Sequence, residues 1–297
     1  MNINRVAAGL VAIVAVVALA ACTSTPSGTP AHAGEPSTAP PPHLLRSVEL
    51  RLPIEDYLPT AEQRDRLGTA RLRLIQKCLA RFDVRYPVKA VPGSAYGPRS
   101  ETDRRYGITD LALARTDGYG LGTRDPARAG RPANPVLDAD GITALHGTGR
   151  STVRGQLVPA GGCVGEADDE LARQVPAGVD VAKASRLQMW SFEESKRDSR
   201  VTAAFRAWSD CMQQAGFSYA DPLSVMGDPA FEADAASSQE IAVATRDIHC
   251  KGEANVVGIW FTVESAYQRR EIDSHRAAYD AIRQAVMARD QFAGQVS

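Results

Sequence analysis

The chain has little of what would assign it a chemistry. Its 297 residues include five histidines and five lysines, and aromatic residues make up 6%. Neither sign of charge dominates: 34 basic residues face 35 acidic ones, for a net charge of −1. That balance excludes a protein that grips nucleic acid mainly through bulk charge. A charged fraction of 23% beside 44% hydrophobic residues excludes wholesale disorder, and a mean hydropathy of −0.24 excludes a polytopic membrane protein. The motifs G-x-S-x-G, S-x-x-K, H-E-x-x-H and G-x-x-x-x-G-K-[ST] are absent. Gly118-x-Gly120-x-Gly122 lacks a third glycine at the dinucleotide offset. Asp138-x-Asp140-Gly141 has Val136 and Gly147 where a calcium loop needs ligands, so it reads as a turn. His146-Gly147-Thr148-Gly149 offers loop donors, but the sequence places no nucleophile beside it. No C-x-x-C occurs, and His249-Cys250 is the one adjacent His/Cys pair. Catalytic residues, a metal site and a cofactor are therefore not expected.

The first residues read as a targeting signal. Arg5 precedes Val6–Ala18, a thirteen-residue apolar run that is too short and too rich in alanine for a spanning helix. Leu19-Ala20-Ala21-Cys22 closes it. Small residues ahead of a cysteine at that point match a lipobox, in which Cys22 is diacylated and residues 1–21 are removed. Two acyl chains bury enough methylenes, at ~0.8 kcal/mol each, for stable anchoring. The alternative is an ordinary secretory signal that leaves Cys22 as an odd thiol. Residues 22–43 carry six prolines among Ser, Thr, Gly and Ala, without apolar periodicity. They read as a disordered tether.

Beyond the tether the pattern is mainly α. Val48, Leu50 and Leu52 alternate as in a short strand. Thr60-x-x-Gln63 is a capping box, and behind it Leu67, Ala70, Leu74, Ile75, Cys78, Leu79 and Phe82 share a helical face. A second helix is expected from Val179 to Arg197. A third, capped by Asp198 or Ser199, carries Val201, Phe205, Trp208, Cys211 and Met212 inward, with Gly216 after its end. A fourth opens at Ser237-x-x-Glu240 and runs on past Ile282. Trp190, Trp208 and Trp260 are all expected in the core.

The cysteine neighbourhoods repeat. Cys78 and Cys211 each precede a tyrosine, Tyr86 and Tyr219, by eight residues, and Cys163-Val-Gly-Glu-Ala matches Cys250-Lys-Gly-Glu-Ala. The reading is a disulfide-stapled helical domain of two related halves, helix–Cys then Cys–helix: 44–197 and 198–297. Four cysteines outside the cell permit three pairings, and a repeat favours Cys78–Cys163 with Cys211–Cys250. Glu166 and Glu253 then follow equivalent bridges, either as a carboxylate pair or as structural acids.

The first half carries 46 extra residues between its cysteines, within a Gly- and Tyr-rich insertion, 87–160. Tyr96, Arg104, Arg105, Tyr106 and Tyr119 are its candidate ligand contacts, since Arg and Tyr bind with little entropy to lose. The competing reading is a packed cover over the helices.

Arg104-Arg105-Tyr106-Gly107, Gly161-Gly162-Cys163-x-Gly165-Glu166-Ala167, Trp208-x-x-Cys211-Met212 and Asp247-x-x-Cys250 occur in that order. The order resembles a group of uncharacterised cell-envelope lipoproteins of high-GC Gram-positive bacteria. The resemblance implies a lipid-anchored, disulfide-bonded exported protein and brings no activity. The expectation is an extracytoplasmic protein on the outer face of the cell membrane. Its role would be non-enzymatic binding or scaffolding, with a cell-wall polymer or envelope protein as partner besides the membrane, and no nucleic acid. The rival is an envelope hydrolase acting on wall polymer through Glu166 or Glu253.

Overall fold

The computed structural model describes residues 34–90, 92–129, 135–231 and 235–296. The signal segment, Cys22 and the first part of the expected tether lie outside them. The described chain is mainly helical. Its helices are α1 (Ala61–Ala80), α2 (Leu111–Asp117), α3 (Ala139–His146), α4 (Gly162–Ala172), α5 (Ala182–Arg197), α6 (Ser199–Gln214), α7 (Ser238–Glu253), α8 (Val256–Ser274) and α9 (Arg276–Gln295). A two-residue antiparallel hairpin, β1 (Thr152–Val153) and β2 (Gln156–Leu157), is the one sheet among the described residues.

Local chemistry sets the helix starts. Thr60 and Gln63 form the expected reciprocal box at α1. Asp110, Asp138, Asp198 and Ser237 each accept a backbone N–H at the head of α2, α3, α6 and α7. The long fourth helix of the sequence reading is three helices. Asn255 takes a left-handed conformation (φ 46°) between α7 and α8, and His275 (φ −131°) breaks α8 from α9. Apolar periodicity runs through both breaks, which is why it could not report them.

The expected strand at Val48–Leu52 does not form. Thr102 Oγ1 donates to Ser47 O (2.7 Å) and Leu50 O (2.8 Å), and Ser100 Oγ donates to Val48 O (2.8 Å). Side-chain hydroxyls from the insertion thus satisfy carbonyls that a strand would offer to a neighbour. A 3-10 helix, Pro53–Tyr57, follows.

Three apolar clusters hold the chain. In the first, α1, α3 and α4 pack around a Cys78–Cys163 disulfide. In the second, α6, α7 and α8 pack around Cys211–Cys250, with Trp208 and Trp260 fully buried. Each tryptophan, at roughly 200 Å² and ~25 cal/mol/Å², contributes on the order of 5 kcal/mol. The third joins Leu52, Ile54 and Tyr57 to α5, α8 and α9. The bridges are the pairs that the repeat favoured.

Helix packing crosses the boundary between the two expected halves. Helix α9 packs on α1, α5 packs on α8, and Tyr106, Ile108, Ala114 and Tyr119 from the insertion enter the second cluster. The second cysteines are also not equivalent. Cys163 lies in the first turn of α4, whereas Cys250 lies in the last turn of α7. Gly161 and Gly162, both at positive φ, force the chain to turn before Cys163. There α3 and α4 meet backbone to backbone: a Cβ on Gly162 would lie 2.4 Å from Gly147 N and 2.5 Å from Leu145 O. The His146–Gly149 loop is part of this crossing.

Residues 34–43 are also not a spacer. Arg270 Nη1 donates to Gly34 O (2.7 Å), and Ser199 N donates to Glu35 Oε1 (2.6 Å). Asn255 Nδ2 donates to Pro42 O (3.0 Å), and His43 Nε2 lies 2.9 Å from Gly252 O. Pro36 is buried. The glutamate places negative charge on the N-terminus of α6, where unpaired amides favour it.

Candidate functional site

A concavity of about 1140 Å³ lies between the head of α1, the 3-10 helix and residues 93–103 of the insertion. The capping box at Thr60 sets the first turns of α1, which present Arg64, Asp65 and Gly68 to the cleft. Opposite them stand Ser94, Tyr96 and Arg99, with Arg51 and Glu55 at one side.

The cleft carries both signs of charge, and each main charge has a partner. Gly93 N donates to Asp65 Oδ1 (2.7 Å), and Ser94 Oγ donates to Oδ2. The Ser94 hydroxyl above all holds the Asp65 carboxyl below its ordinary range. Arg64 donates to Pro59 O (2.8 Å) and pairs with Glu101 (2.8 Å). Arg124 Nε donates to Gly97 O (2.8 Å) and its Nη2 to Ser94 O (2.7 Å), tying down the loop that bears Tyr96. Arg99 bonds Asp103 (2.9 Å) and Asp110 (3.1 Å). Burial raises the Asp103 carboxyl, but the hydrogen bonds from Arg99 outweigh it and the group sits low. At Glu55 burial wins over the hydrogen bond from Leu52 N (2.6 Å), and the carboxyl is pushed up. Neither a histidine nor a cysteine lines the cleft. What the cleft offers is hydrogen-bonding capacity from hydroxyls, paired charges and a half-buried tyrosine.

Of the five expected ligand contacts, only Tyr96 lines this cleft. The other four do not line it: Tyr106 and Tyr119 are buried, and Arg104 and Arg105 are part-buried with their guanidinium groups bonded to the protein. Arg104 donates to Gly120 O (2.9 Å) and to Tyr119 O. Arg105 forks onto Glu264 (3.0 and 2.5 Å) and reaches Gln188 O (2.7 Å). Tyr106, 0% exposed, donates its hydroxyl to Glu264 Oε2 (2.9 Å). Tyr119 donates its hydroxyl to Asp247 Oδ2 (3.3 Å) and its amide to Glu240 (2.9 Å). Burial, then the adjacent carboxylates, push both phenols well up. A buried carboxylate needs partners, and these rings and guanidinium supply them.

Sequence reasoning missed the centres of those networks. Asp247 and Lys251, both buried, lie one turn apart on α7, with Nζ 2.7 Å from Oδ2. Trp208 Nε1 donates to Asp247 Oδ1 (2.9 Å), and Lys251 Nζ donates to Ile108 O (3.1 Å). Burial pushes the Asp247 carboxyl up and the Lys251 ammonium down. Ser191 Oγ (3.2 Å) and Gln268 Nε2 (3.1 Å) donate to Glu264 Oε1. The available signal was a lone carboxylate in an apolar helical run, as at Glu264.

Glu166 and Glu253 have different settings. Glu166 pairs with Arg81 (2.6 Å) beside Cys78, and Glu253 Oε2 lies 3.2 Å from Cys211 Sγ, with His249 at 4.0 Å from Oε1. Trp190 departs from its expected core position: it is 43% exposed.

No family model matches the chain, and neither a curated protein nor a solved structure does.

Proposed function

We propose that this is a lipid-anchored extracytoplasmic envelope protein with a non-enzymatic binding or scaffolding role. The observation that carries the proposal is the pair of disulfides, each closed within its own apolar cluster. Such bridges persist in oxidising compartments outside the cytosol. The Leu-Ala-Ala-Cys22 sequence supports anchoring through that cysteine at the outer face of the cell membrane. The resemblance to envelope lipoproteins supports the same placement.

The cleft at α1 supports a binding role for a polar molecule, a wall polymer segment or an envelope protein loop. Hydrolysis by Glu166 or Glu253 gains no support, since the two stand beside different disulfides and Glu166 is paired with Arg81. The reading of two related halves extends only to α1 and α6, each with its cysteine in the last turn and a tyrosine eight residues on.

Cys22→Ala is the test of placement. The wild-type protein should fractionate with membranes and carry the mass of a diacylated cysteine, while the variant should be released or left uncut. A signal-cleaved variant that stays fully membrane-bound overturns the anchor. Capture of the full chain on peptidoglycan, teichoic polymer or envelope proteins, weakened by Tyr96→Ala, tests the cleft; capture unaffected by that change overturns its role.

A further inference from the structure

The chain is gripped by the helical domain from Gly34 onward, so the stretch between Cys22 and that grip is Thr23–Ala33, eleven residues. Twelve virtual bonds reach at most ~40 Å when fully extended. A domain of this size is itself roughly 45 Å across. A lead that short cannot present the side opposite its point of entry, and it leaves the faces around that point within reach of the membrane.

The surface at the entry point is not ordinary. Arg270 on α8 holds Gly34 O at 2.7 Å and lies 5.1 Å from the centroid of the Tyr267 ring. That ring meets Trp190 of α5 edge-on at 5.9 Å. Trp190 is 43% exposed, and its neighbour Met189 is 66% exposed. The nearby acids are spoken for: Glu35 bonds Ser199, Glu194 pairs with Arg197 and Asp273 with Arg276. An exposed indole, a thioether and the Arg270 guanidinium form the composition that settles at a headgroup layer. There amphipathic rings sit at the interface and guanidinium groups meet lipid phosphates.

Taking Cys22 as the anchored residue, we propose that the α5–α8 face bearing Trp190 and Arg270 docks on the phospholipid bilayer that holds the anchor. The lipid tether and this face would then act as two signals on one membrane, fixing the orientation of the domain. The cleft at α1 is free to face the envelope.

The intrinsic tryptophans make this testable. The chain has three, and Trp208 and Trp260 are fully buried, so a quencher in the surroundings reads Trp190. The acylated full chain would be placed on vesicles of phosphatidylcholine and phosphatidylglycerol with brominated acyl chains. The Trp190 part of the emission should be lost relative to unbrominated vesicles, and aqueous iodide should lose access to it. Trp190→Phe should abolish both effects while the protein still floats with the vesicles. Flotation with no response to bromine overturns the docking and leaves the anchor standing. Failure to float overturns the anchor itself and the docking with it. Shielding from iodide that follows protein concentration rather than lipid assigns the face to a second copy and likewise overturns the docking.

Discussion

Replacing Lys251 by methionine removes the cation from the innermost polar cluster of the α6–α8 core at nearly constant side-chain length. Lys251 is 2% exposed and Asp247 0%. In the variant, Asp247 keeps its bonds from Trp208 Nε1 and Tyr119 OH but loses the ammonium 2.7 Å away. Breaking a buried pair from one side costs about 3–5 kcal/mol, because the remaining charge stays out of water. The carbonyl of Ile108 loses its donor as well. A loss of ~4 kcal/mol is expected. In a chain of this size that lowers Tm by roughly 8–16 °C. The pH dependence has a definite sign. Burial already raises the Asp247 carboxyl above 3.8, and Lys251 is the largest opposing influence, so its removal raises the group further. A carboxyl raised in the folded state binds its proton more tightly when folded. The stability it contributes is full below the unfolded pKa and is lost as pH rises through the folded one. The gap between variant and wild type should therefore narrow from about pH 7.5 to about pH 5. Adding Asp247→Asn removes the stranded charge and should recover part of the loss at neutral pH. Urea unfolding with the disulfides intact, at both pH values, measures all three proteins. A Lys251→Met loss below ~1 kcal/mol at neutral pH, or a gap that widens on acidification, refutes the reasoning.

Further outcomes follow from the same contacts. Removing the Cys78–Cys163 bridge, 85 residues apart, should cost up to ~4.5 kcal/mol, and removing Cys211–Cys250, 39 apart, up to ~4; paired Cys→Ser variants in urea titrations would show the ranking. Gly258→Ala should free residues 34–43, since its Cβ would lie 1.9 Å from Pro42 O; limited proteolysis should then cut ahead of Leu45 while the helical core stays intact. Gly162→Ala should destabilise by at least ~2 kcal/mol through positive φ and the clash with Gly147 N and Leu145 O; a thermal midpoint unchanged within error would contradict the backbone crossing.

Much of the helical scaffold was legible because its determinants are local. The box at Thr60 and the caps at Asp198 and Ser237 act within three residues, so each of these helix starts could be read off the chain, while the Glu240 carboxylate turns to Tyr119 N instead of closing a box at Ser237. The inward faces of α1 and α6 follow from spacing alone. The cleft was legible only at Tyr96. Its other walls come from the first turns of α1, whose start the Thr60 box marks without showing that they line a cleft, and from the 3-10 helix, which no motif marks. The long fourth helix failed because a left-handed Asn255 breaks the helix without interrupting the apolar period. The strand at Val48–Leu52 failed because alternation reports exposure, while strand formation needs a partner that here is replaced by Ser100 and Thr102.

What the sequence by itself determined is therefore the mainly helical class, the caps and the cysteine pairs, each written in short spacings or in a repeated neighbourhood. Only the tertiary structure decided which side of the insertion faces inward. Arg and Tyr are stable either in solvent or against a buried carboxylate, and the choice rests on partners far along the chain: Arg105 meets Glu264 across 159 residues, and Tyr119 meets Asp247 across 128. The same holds for residues 34–43. Proline-rich chain has no core of its own to build, but it packs where Arg270, Ser199 and Asn255 offer donors to its carbonyls and its one carboxylate. Composition describes what a segment can bury alone, and packing depends on the surface it finds.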